Sequence, residues 1–201
     1  MSTGEIQVIS GCMFAGKTTE LLRLVRRERI AKRNVELFTP NTDSRYGTDV
    51  IGSHNEKKEK AKVVDPEKGI EEILRIGKQL DTVGIDEANF FTAELVPVVQ
   101  NLADNNTDVL ITGLDQTFRG ETFEPMGKLL AVADKVQKLN AICEKCGDTA
   151  TMTQRLINGE PASIDSPTIK VGGDESYEAR CRKCHHLKNE QQIVTNETSH
   201  D

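Results

Sequence analysis

The 201-residue chain contains no tryptophan, and all its aromatic residues together make up only 4% of the sequence. It also lacks a long apolar stretch and any signal or transit peptide, so we expect a cytoplasmic location. The net charge of −6 and the pI near 5.4 argue against nucleic acid as an obligatory partner, because phosphate binding needs a basic surface. Hydrophobic residues account for 36% of the chain, enough for one core in a mid-sized domain with a small appendage.

The N-terminal region contains a glycine-rich phosphate-binding loop. An apolar strand over residues 6–10 leads into a G-x-x-x-x-G-K-T motif, and a helical pattern follows over 17–33. Such a loop directs backbone N–H groups at one point, Lys17 can reach the β- and γ-phosphates, and the Thr18 hydroxyl can bind Mg²⁺. The pattern predicts a nucleoside triphosphate site; the alternative is a glycine turn without a ligand. The loop consists of Gly11, Cys12, Met13, Phe14, Ala15, Gly16, Lys17 and Thr18.

Two adjacent acids, Asp86 and Glu87, follow a short apolar strand over Thr82–Ile85. In an extended chain neighbouring side chains point to opposite faces, so the two carboxylates can take separate roles. One could hold Mg²⁺ while the other faces the acceptor and receives a proton. The pair predicts phosphoryl transfer, and the alternative is two solvated acids that cap the next helix.

Strands and helices alternate through the first two thirds of the chain, which predicts a parallel sheet with helices on both faces and ligands at the carboxyl ends of the strands. On the first helix, an apolar face is predicted from Leu21, Leu22, Val25 and Ile30. A polar stretch over 40–60 is interpreted as a surface loop. The predicted strands are 6–10, 35–39, Thr82–Ile85 and Asp108–Gly113, and the predicted helices are 17–33, 69–77 and 93–105.

Four of the five cysteines form two C-x-x-C pairs, namely Cys143 with Cys146 and Cys181 with Cys184. Each pair supplies two thiolates from one turn, and Zn²⁺ prefers four ligands in a tetrahedron, so we predict a structural zinc site. His185 and His186 could compete for the fourth position. A redox pair or chance spacing is the alternative interpretation.

Several segments resemble, in order, the motifs of the type II thymidine kinase family, and the resemblance covers about residues 4–188. The resemblance implies a RecA-like P-loop α/β fold with a small C-terminal zinc-ribbon-like module that carries a lasso loop. We therefore expect an ATP-binding domain over 1–139, a zinc-binding lasso domain over 140–189 and a disordered tail over 190–201. The matching segments are 11–21, 43–46, 86–91, 113–120, 172–177 and the two cysteine pairs.

The resemblance also implies the reaction, in which ATP and thymidine give ADP and thymidine monophosphate. By position, Glu87 is the base that accepts the 5′-hydroxyl proton, and Asp86 lies on the magnesium side. Asp43 and Arg45 lie near the phosphates, where Arg45 would neutralise developing charge. The ATP-binding segment extends to Ala88 and Asn89, and Asn89 stands where the family usually has Gln.

Thymine is expected in an apolar slot, with the lasso over 168–177 binding the pyrimidine edge through main-chain groups. Leu114 and Phe123 have an alternative interpretation as ordinary core residues. Deoxyuridine as a second acceptor, inhibition by thymidine triphosphate and a homotetramer are further expectations. The expected nucleoside contacts are Met13, Phe90, Leu114, Phe118, Phe123, Thr153, Thr168, Ile169, Lys170, Val171, Gly172 and Tyr177.

Two other function classes compete with this interpretation. An ATPase of nucleic-acid machinery would require a basic, aromatic-bearing groove, whereas this chain is acidic. A nucleotide-binding sensor without turnover would not need the complete set of reactive side chains. That set is present here: Lys17, Thr18, Asp86 and Glu87.

Overall fold

The computed structural model of the chain describes residues 3–41, 50–52, 58–169 and 175–188. The contacts divide the chain into two compact units. The first consists of Met1–Gly11, Gly16–Asp115 and Thr122–Leu139. The second consists of Cys12–Ala15, Gln116–Glu121 and Asn140–Asp201. The boundary near Leu139 falls where the sequence pattern changes from alternating strands and helices to cysteine pairs.

The first unit is built from strands and helices that alternate along most of its length. Its elements are β1 (Ile6–Gly11), α1 (Lys17–Ile30), β2 (Val35–Pro40), β3 (Val50–Gly52), β4 (Lys58–Lys60), β5 (Lys62–Val64), α2 (Ile70–Gly77), β6 (Thr82–Ile85), a 3₁₀ turn (Ala88–Phe90), α3 (Leu95–Asp104), β7 (Asp108–Gly113), α4 (Met126–Val132) and β8 (Lys135–Leu139).

Six of these strands form one sheet in the order β5-β2-β6-β7-β1-β8, and every neighbouring pair is parallel. The inner strands are apolar on both faces because helices cover the sheet on both sides, as is typical of parallel sheets. β1 and β6 lie on either side of β7, so the loop after β1 and the acids after β6 lie at the same, carboxyl edge. The predicted parallel α/β sheet is confirmed.

Alternate residues of the strands contribute to two apolar clusters. Val109 and Ile111 of β7 belong to a cluster that includes the apolar residues of α2, α3 and α4. Leu110, between them, packs in a second cluster that includes residues of α1. This alternation is the period of two expected for strands, and it explains why one strand can serve two layers of helices.

The helix after the phosphate loop ends earlier than predicted. Leu21, Leu22 and Val25 are buried as expected, but Ile30 is 74% exposed, so its assignment to the apolar face is wrong. Ile30 is the last residue of α1, and at 3.6 residues per turn it lies on the side of the helix opposite to the buried Leu21.

Four features of the first unit were not predicted. The stretch over 40–60 contains a short antiparallel pair, β3 with β4, instead of being a loop throughout. α4 and the two edge strands of the sheet, β5 and β8, were also missed. β8 carries Lys135 and Lys138 and is mostly exposed, so it lacks the apolar run by which an inner strand is identified.

The second unit consists of short antiparallel strands. Its elements are β9 (Ala141–Ile142), β10 (Thr149–Ala150), β11 (Met152–Ile157), β12 (Glu160–Pro161) and β13 (Glu175–Arg180). β9 pairs with β10, and β11 lies between β12 and β13 in a three-stranded sheet. None of the helices in the described ranges is long and apolar enough to span a membrane.

Candidate active site and metal centre

The glycine-rich loop between β1 and α1 has an irregular backbone. Gly11 and Gly16 have φ angles of 147° and 84°, and Phe14 has a φ of 64°. A left-handed conformation is uncommon for a bulky residue, and such strain clusters at ligand-binding loops. Gly16 is also the N-cap of α1, so the N–H groups of the first helical turn lie directly after the loop. These features suit an anion such as a triphosphate.

The buried carboxylate of Asp86 is tied to the loop by hydrogen bonds. The Thr18 hydroxyl donates to Asp86 Oδ2 at 3.0 Å, the backbone N–H of Glu87 donates to Asp86 Oδ1 at 3.0 Å, and the Thr112 hydroxyl donates to the same Oδ1. Burial raises the pKa of Asp86, and the hydrogen bonds and the charge of Lys17 oppose this rise. Thr18 and Asp86 thus present a hydroxyl and a carboxylate oxygen side by side, which are ligand types that Mg²⁺ prefers.

Glu87 lies beyond the end of β6 and has a left-handed backbone, with φ 50° and ψ 41°. We predicted that strand alternation would point the side chains of the two acids to opposite faces. This reason is wrong, because neither acid is in the strand. The sharp turn at Glu87 separates them instead.

The Glu87 side chain keeps access to solvent, although many protein atoms surround it. Loss of hydration in this environment, together with the nearby charge of Asp86, raises the pKa of Glu87 to about 7, and Lys17 opposes the rise. The carboxyl group therefore combines an accessible position with a proton affinity suited to exchange near neutral pH.

The residues after the two acids are less accessible. Ala88 and Asn89 are 0% and 3% exposed, and the Asn89 Oδ1 accepts a hydrogen bond from the backbone N–H of Leu114 at 2.9 Å. Asn89 therefore fixes the start of the segment after β7. The contact of Asn89 with ATP stays a prediction. In the structure, its side chain binds the backbone of Leu114.

Two predicted nucleoside contacts of the first unit lie against each other. The rings of Phe90 and Phe123 are 6.1 Å apart between centroids with an angle of 79° between their planes, an edge-to-face pair. Both rings and Leu114 are half-buried, so none of the three is an ordinary, fully covered core residue. The three side chains retain apolar surface that a ligand could cover.

The second unit brings other predicted contacts together. The Met13 backbone N–H donates to the buried Thr153 hydroxyl at 3.0 Å, so the middle of the phosphate loop is anchored on β11. Tyr177 on β13 is half-buried, and its backbone is paired with Arg155. Phe118 is buried, whereas Ile169 is 51% exposed.

The four paired cysteines converge in the second unit. Their Sγ atoms all lie within 4.8 Å of one another, and the Cys146 and Cys181 sulfurs are 3.7 Å apart. Four sulfurs at a Zn–S distance of about 2.3 Å in a tetrahedron would be about 3.8 Å apart, so the cluster has the dimensions of a zinc site. The fourth member is Cys184, whereas a ring nitrogen of His185 hydrogen-bonds the Phe118 carbonyl oxygen at 2.8 Å.

Local backbone geometry shapes the two cysteine turns. Gly147 has a φ of 76° and donates its N–H to the Cys143 carbonyl at 2.8 Å, which closes the first turn. Desolvation raises the pKa of Cys143, but backbone N–H groups, chiefly that of Cys181, outweigh it and bring the pKa to about 6. A thiolate favoured by N–H groups is a natural metal ligand.

Some predicted residues lie outside the described part of the chain. These are the phosphate-side pair Asp43 and Arg45, the central lasso residues and the predicted tail over 190–201. The lasso residues concerned are Lys170, Val171 and Gly172.

Sequence reasoning assigned no role to three polar residues that contact predicted site residues within their own units. Thr112 precedes the 113–120 motif and binds the Asp86 carboxylate. Arg119 lies inside that motif, and Arg155 is fully buried on β11. A threonine at a strand end beside a glycine is a weak signal, and a buried arginine cannot be recognised from sequence at all.

Residues 4–185 match the family model described as thymidine kinase. The chain belongs to the thymidine kinase family. A thymidine kinase of Halobacterium salinarum is 50% identical over 190 residues, which cover 94% of this chain and 97% of that protein. A thymidine kinase of Coprothermobacter proteolyticus is 51% identical over 184 residues, which cover 92% and 91%. The predicted family and the predicted thymidine kinase activity are therefore confirmed, and the chain is a phosphotransferase of the nucleoside kinase type.

A more distant likeness concerns the fold alone. The crystal structure of the flagellar accessory protein FlaH from Methanocaldococcus jannaschii has a TM-score of 0.51 with this chain. The likeness covers 74% of this chain and 76% of that chain at 10% sequence identity. At this level of identity the likeness shows a similar fold and nothing more.

Proposed function

We propose that the chain transfers the γ-phosphate of ATP to the 5′-hydroxyl of thymidine, and that Glu87 is the general base. One observation carries the proposal. Thr18, at the start of the helix that follows the phosphate loop, is hydrogen-bonded to the buried Asp86, and the next residue is the accessible carboxyl of Glu87. The groups suited to bind the donor phosphates are therefore next to a group that can accept the proton of the acceptor hydroxyl.

On the donor side, the backbone of the loop over 11–18 and the Lys17 ammonium would bind the phosphates. Thr18 and Asp86 would hold Mg²⁺, which neutralises charge on the phosphate oxygens when it is bound. Asp43 and Arg45 belong to the proposal through the family resemblance, with Arg45 balancing charge on the transferred group.

On the acceptor side, the thymidine 5′-oxygen forms a bond to the γ-phosphorus while the bond between that phosphorus and the β–γ bridging oxygen breaks. The hydroxyl proton passes to the Glu87 carboxylate, and ADP leaves with the electron pair of the broken bond. The left-handed turn at Glu87 supports this role, since it removes the side chain from the buried environment of Asp86.

The nucleoside contacts are proposed separately for each unit. In the first unit they are the edge-to-face pair Phe90 and Phe123 with Leu114, which offer half-buried apolar surface. In the second unit they are Met13, Phe118, Thr153, Tyr177 and the lasso over 168–177, where main-chain groups would bind the pyrimidine edge.

We also assign a structural zinc to Cys143, Cys146, Cys181 and Cys184. The sulfur positions fit a tetrahedron, and four thiolates leave no open position for chemistry. The metal would join the two turns that lie before β10 and after β13, the strand that follows the lasso. Thymidine triphosphate as an inhibitor, a homotetrameric assembly and a cytoplasmic location complete the proposal on the basis of the family.

The test is a nucleoside panel with ATP and Mg²⁺, in which product monophosphates are separated by chromatography. We expect phosphorylation of thymidine and deoxyuridine, inhibition by added thymidine triphosphate, and loss of activity in Lys17→Ala. Exchange of thymidine for single-stranded DNA in the same assay tests the ATPase alternative. ATP hydrolysis that DNA stimulates, without any nucleoside monophosphate, would contradict the proposal.

A further inference from the structure

Two guanidinium groups lie over one aromatic ring in the second unit. The central carbon atoms of Arg119 and Arg155 are 4.6 Å and 5.3 Å from the centroid of the Phe118 ring. The Phe118 carbonyl also bonds a ring nitrogen of His185, at 2.8 Å. Because Phe118 is held at its ring and at its backbone, it provides a fixed support for both arginines.

The same two arginines bind the chain immediately before and at the start of the lasso. Arg119 donates from Nε to the Ile164 carbonyl at 2.6 Å, from one terminal nitrogen to the Thr168 hydroxyl at 2.8 Å, and from the other to the Ser166 carbonyl. A single planar guanidinium therefore fixes three acceptors spread over five residues. We call the segment 164–168 the lasso root.

The buried arginine adds a fourth attachment. Arg155 is 0% exposed and donates to the Pro167 carbonyl. Ile164 and Ser166 also bond through their backbone N–H groups, to the carbonyls of Lys188 and Ser163, each at 3.0 Å. These bonds constrain the backbone of the root, and the arginines link it to the Phe118 ring.

We propose that Arg119 and Arg155 are positioning residues that hold the lasso root and thereby set the affinity for thymidine. This inference rests on the proposed function, in which the lasso contacts the nucleoside. Neither arginine takes part in phosphoryl transfer. Their loss lets the root sample other positions, so thymidine binding must first order it, which weakens binding without slowing the bound complex.

The test uses Arg119, because the removal of a fully buried arginine could prevent folding of the unit. Arg119→Ala should raise the thymidine KM by about tenfold or more, since several charge-assisted hydrogen bonds are lost. The ATP KM and the kcat at saturating thymidine should stay within about twofold. The thymidine KM of Arg119→Lys should lie between those of the wild-type protein and of Arg119→Ala. An ammonium keeps the charge but cannot reach three acceptors as a planar guanidinium does.

Two control variants separate the root contacts from general charge effects. Glu121→Gln removes a carboxylate 3.9 Å from Arg119, and Arg75→Ala removes an exposed arginine from α2. Both should keep the wild-type thymidine KM. Hydrogen exchange at the backbone N–H groups of the root should speed up in Arg119→Ala and stay unchanged in both controls.

A double-mutant cycle with Thr168→Val tests the contact itself. The combined effect of Arg119→Ala and Thr168→Val on the thymidine KM should be smaller than the product of the single effects, because each removes the same hydrogen bond. An unchanged thymidine KM in Arg119→Ala, or an equal rise in the ATP KM, would overturn the inference. If Arg119→Ala does not fold, Arg119→Lys takes its place. An unchanged thymidine KM in that variant, or an equal rise in its ATP KM, would overturn the inference.

Failure of this inference differs from failure of the proposed function. If the wild-type protein forms no thymidine monophosphate, the proposed function is wrong. If the wild-type protein forms it and the Arg119 variants keep the wild-type thymidine KM, only the positioning role is wrong.

Discussion

The two units of the chain are stabilised by different means. The first has a large apolar cluster that contains Phe38, Ile73, Leu102 and other long side chains. The cluster around the cysteines in the second unit consists of alanines and cysteines, with Ala150 and Ala179 at its centre. Apolar burial contributes roughly 25 cal/mol per Å², so small side chains provide little of it. The proposed zinc would therefore supply stability that this small cluster does not.

The units also differ in the chemistry that we propose for them. The candidate reactive groups Lys17, Thr18, Asp86 and Glu87 belong to the first unit, whereas the lasso and its positioning arginines belong to the second. We therefore expect that changes to the candidate reactive groups alter catalysis, and that changes to the lasso and its arginines alter nucleoside affinity. Four experiments test this division, in order of decreasing expected effect.

Metal removal should affect the second unit most. We expect close to one zinc per chain in protein purified without added metal, and Cys181→Ala should lose the metal and expose residues 140–188 to protease. Structural zinc sites contribute on the order of 10–16 kcal/mol in zinc-finger peptides, which is far more than the net contribution of a single hydrogen bond.

The fifth cysteine provides the matched control for metal content. Cys12→Ala removes a thiol that donates to the Ala150 carbonyl at 3.4 Å and is not one of the four converging sulfurs, so the variant should keep its zinc. A metal-free protein whose second unit resists protease would remove the distinction between the units.

The change Glu87→Gln should affect only the chemistry of the first unit. The amide cannot accept the hydroxyl proton, so kcat should fall by ~10²–10⁴ while the KM values for ATP and thymidine stay nearly constant. Steady-state kinetics of the variant and of Asp86→Asn would distinguish the two acids. Asp86→Asn should weaken productive Mg²⁺–ATP binding, with partial rescue by excess Mg²⁺. The reverse pattern would exchange the proposed roles.

A truncation in the apolar core should destabilise the first unit by an intermediate amount. Leu21→Ala on α1 removes a fully buried side chain and should cost about 2–5 kcal/mol of unfolding free energy. Ile30→Ala on the same helix removes a side chain that is 74% exposed, and should change stability by less than about 0.5 kcal/mol. Denaturant unfolding measures both, and equal losses would mean that α1 packs differently.

The smallest effect is expected from Tyr177 on β13. Tyr177→Ala should raise the thymidine KM about tenfold, equivalent to about 1.4 kcal/mol, with little change in the ATP KM. Tyr177→Phe separates the ring from the hydroxyl group. Equal changes for both substrates would show that Tyr177 does not act on the nucleoside alone.

Local patterns made much of the site predictable. The spacing of glycines, Lys17 and Thr18 placed the phosphate loop between strand and helix, and the structure has β1 and α1 there. The apolar strand before Asp86 was equally clear. The cysteine spacing predicted a four-ligand cluster, and the sulfurs converge. In each case neighbours in sequence determine the chemistry, so the pattern is visible without the fold.

Other features were not visible because they depend on long-range packing. β8 is polar and at the edge of the sheet, so its sequence resembles a loop. Ile30 is apolar and lies in α1, but it is on the side of the helix opposite to Leu21 and is exposed. The left-handed turn at Glu87 places a non-glycine residue where sequence propensity would not.

The sequence by itself determined the phosphate loop, the paired acids, the two cysteine turns and the alternation of strands and helices, since each depends on residues a few positions apart. Only the tertiary structure decided that Cys184 and not His185 completes the sulfur cluster, and that Thr112 binds Asp86. It also decided that Arg119 and Arg155 converge on Phe118 and the lasso root. These contacts join residues far apart in the chain. Their geometry is set by how strands pair and turns close, and no local pattern carries that information.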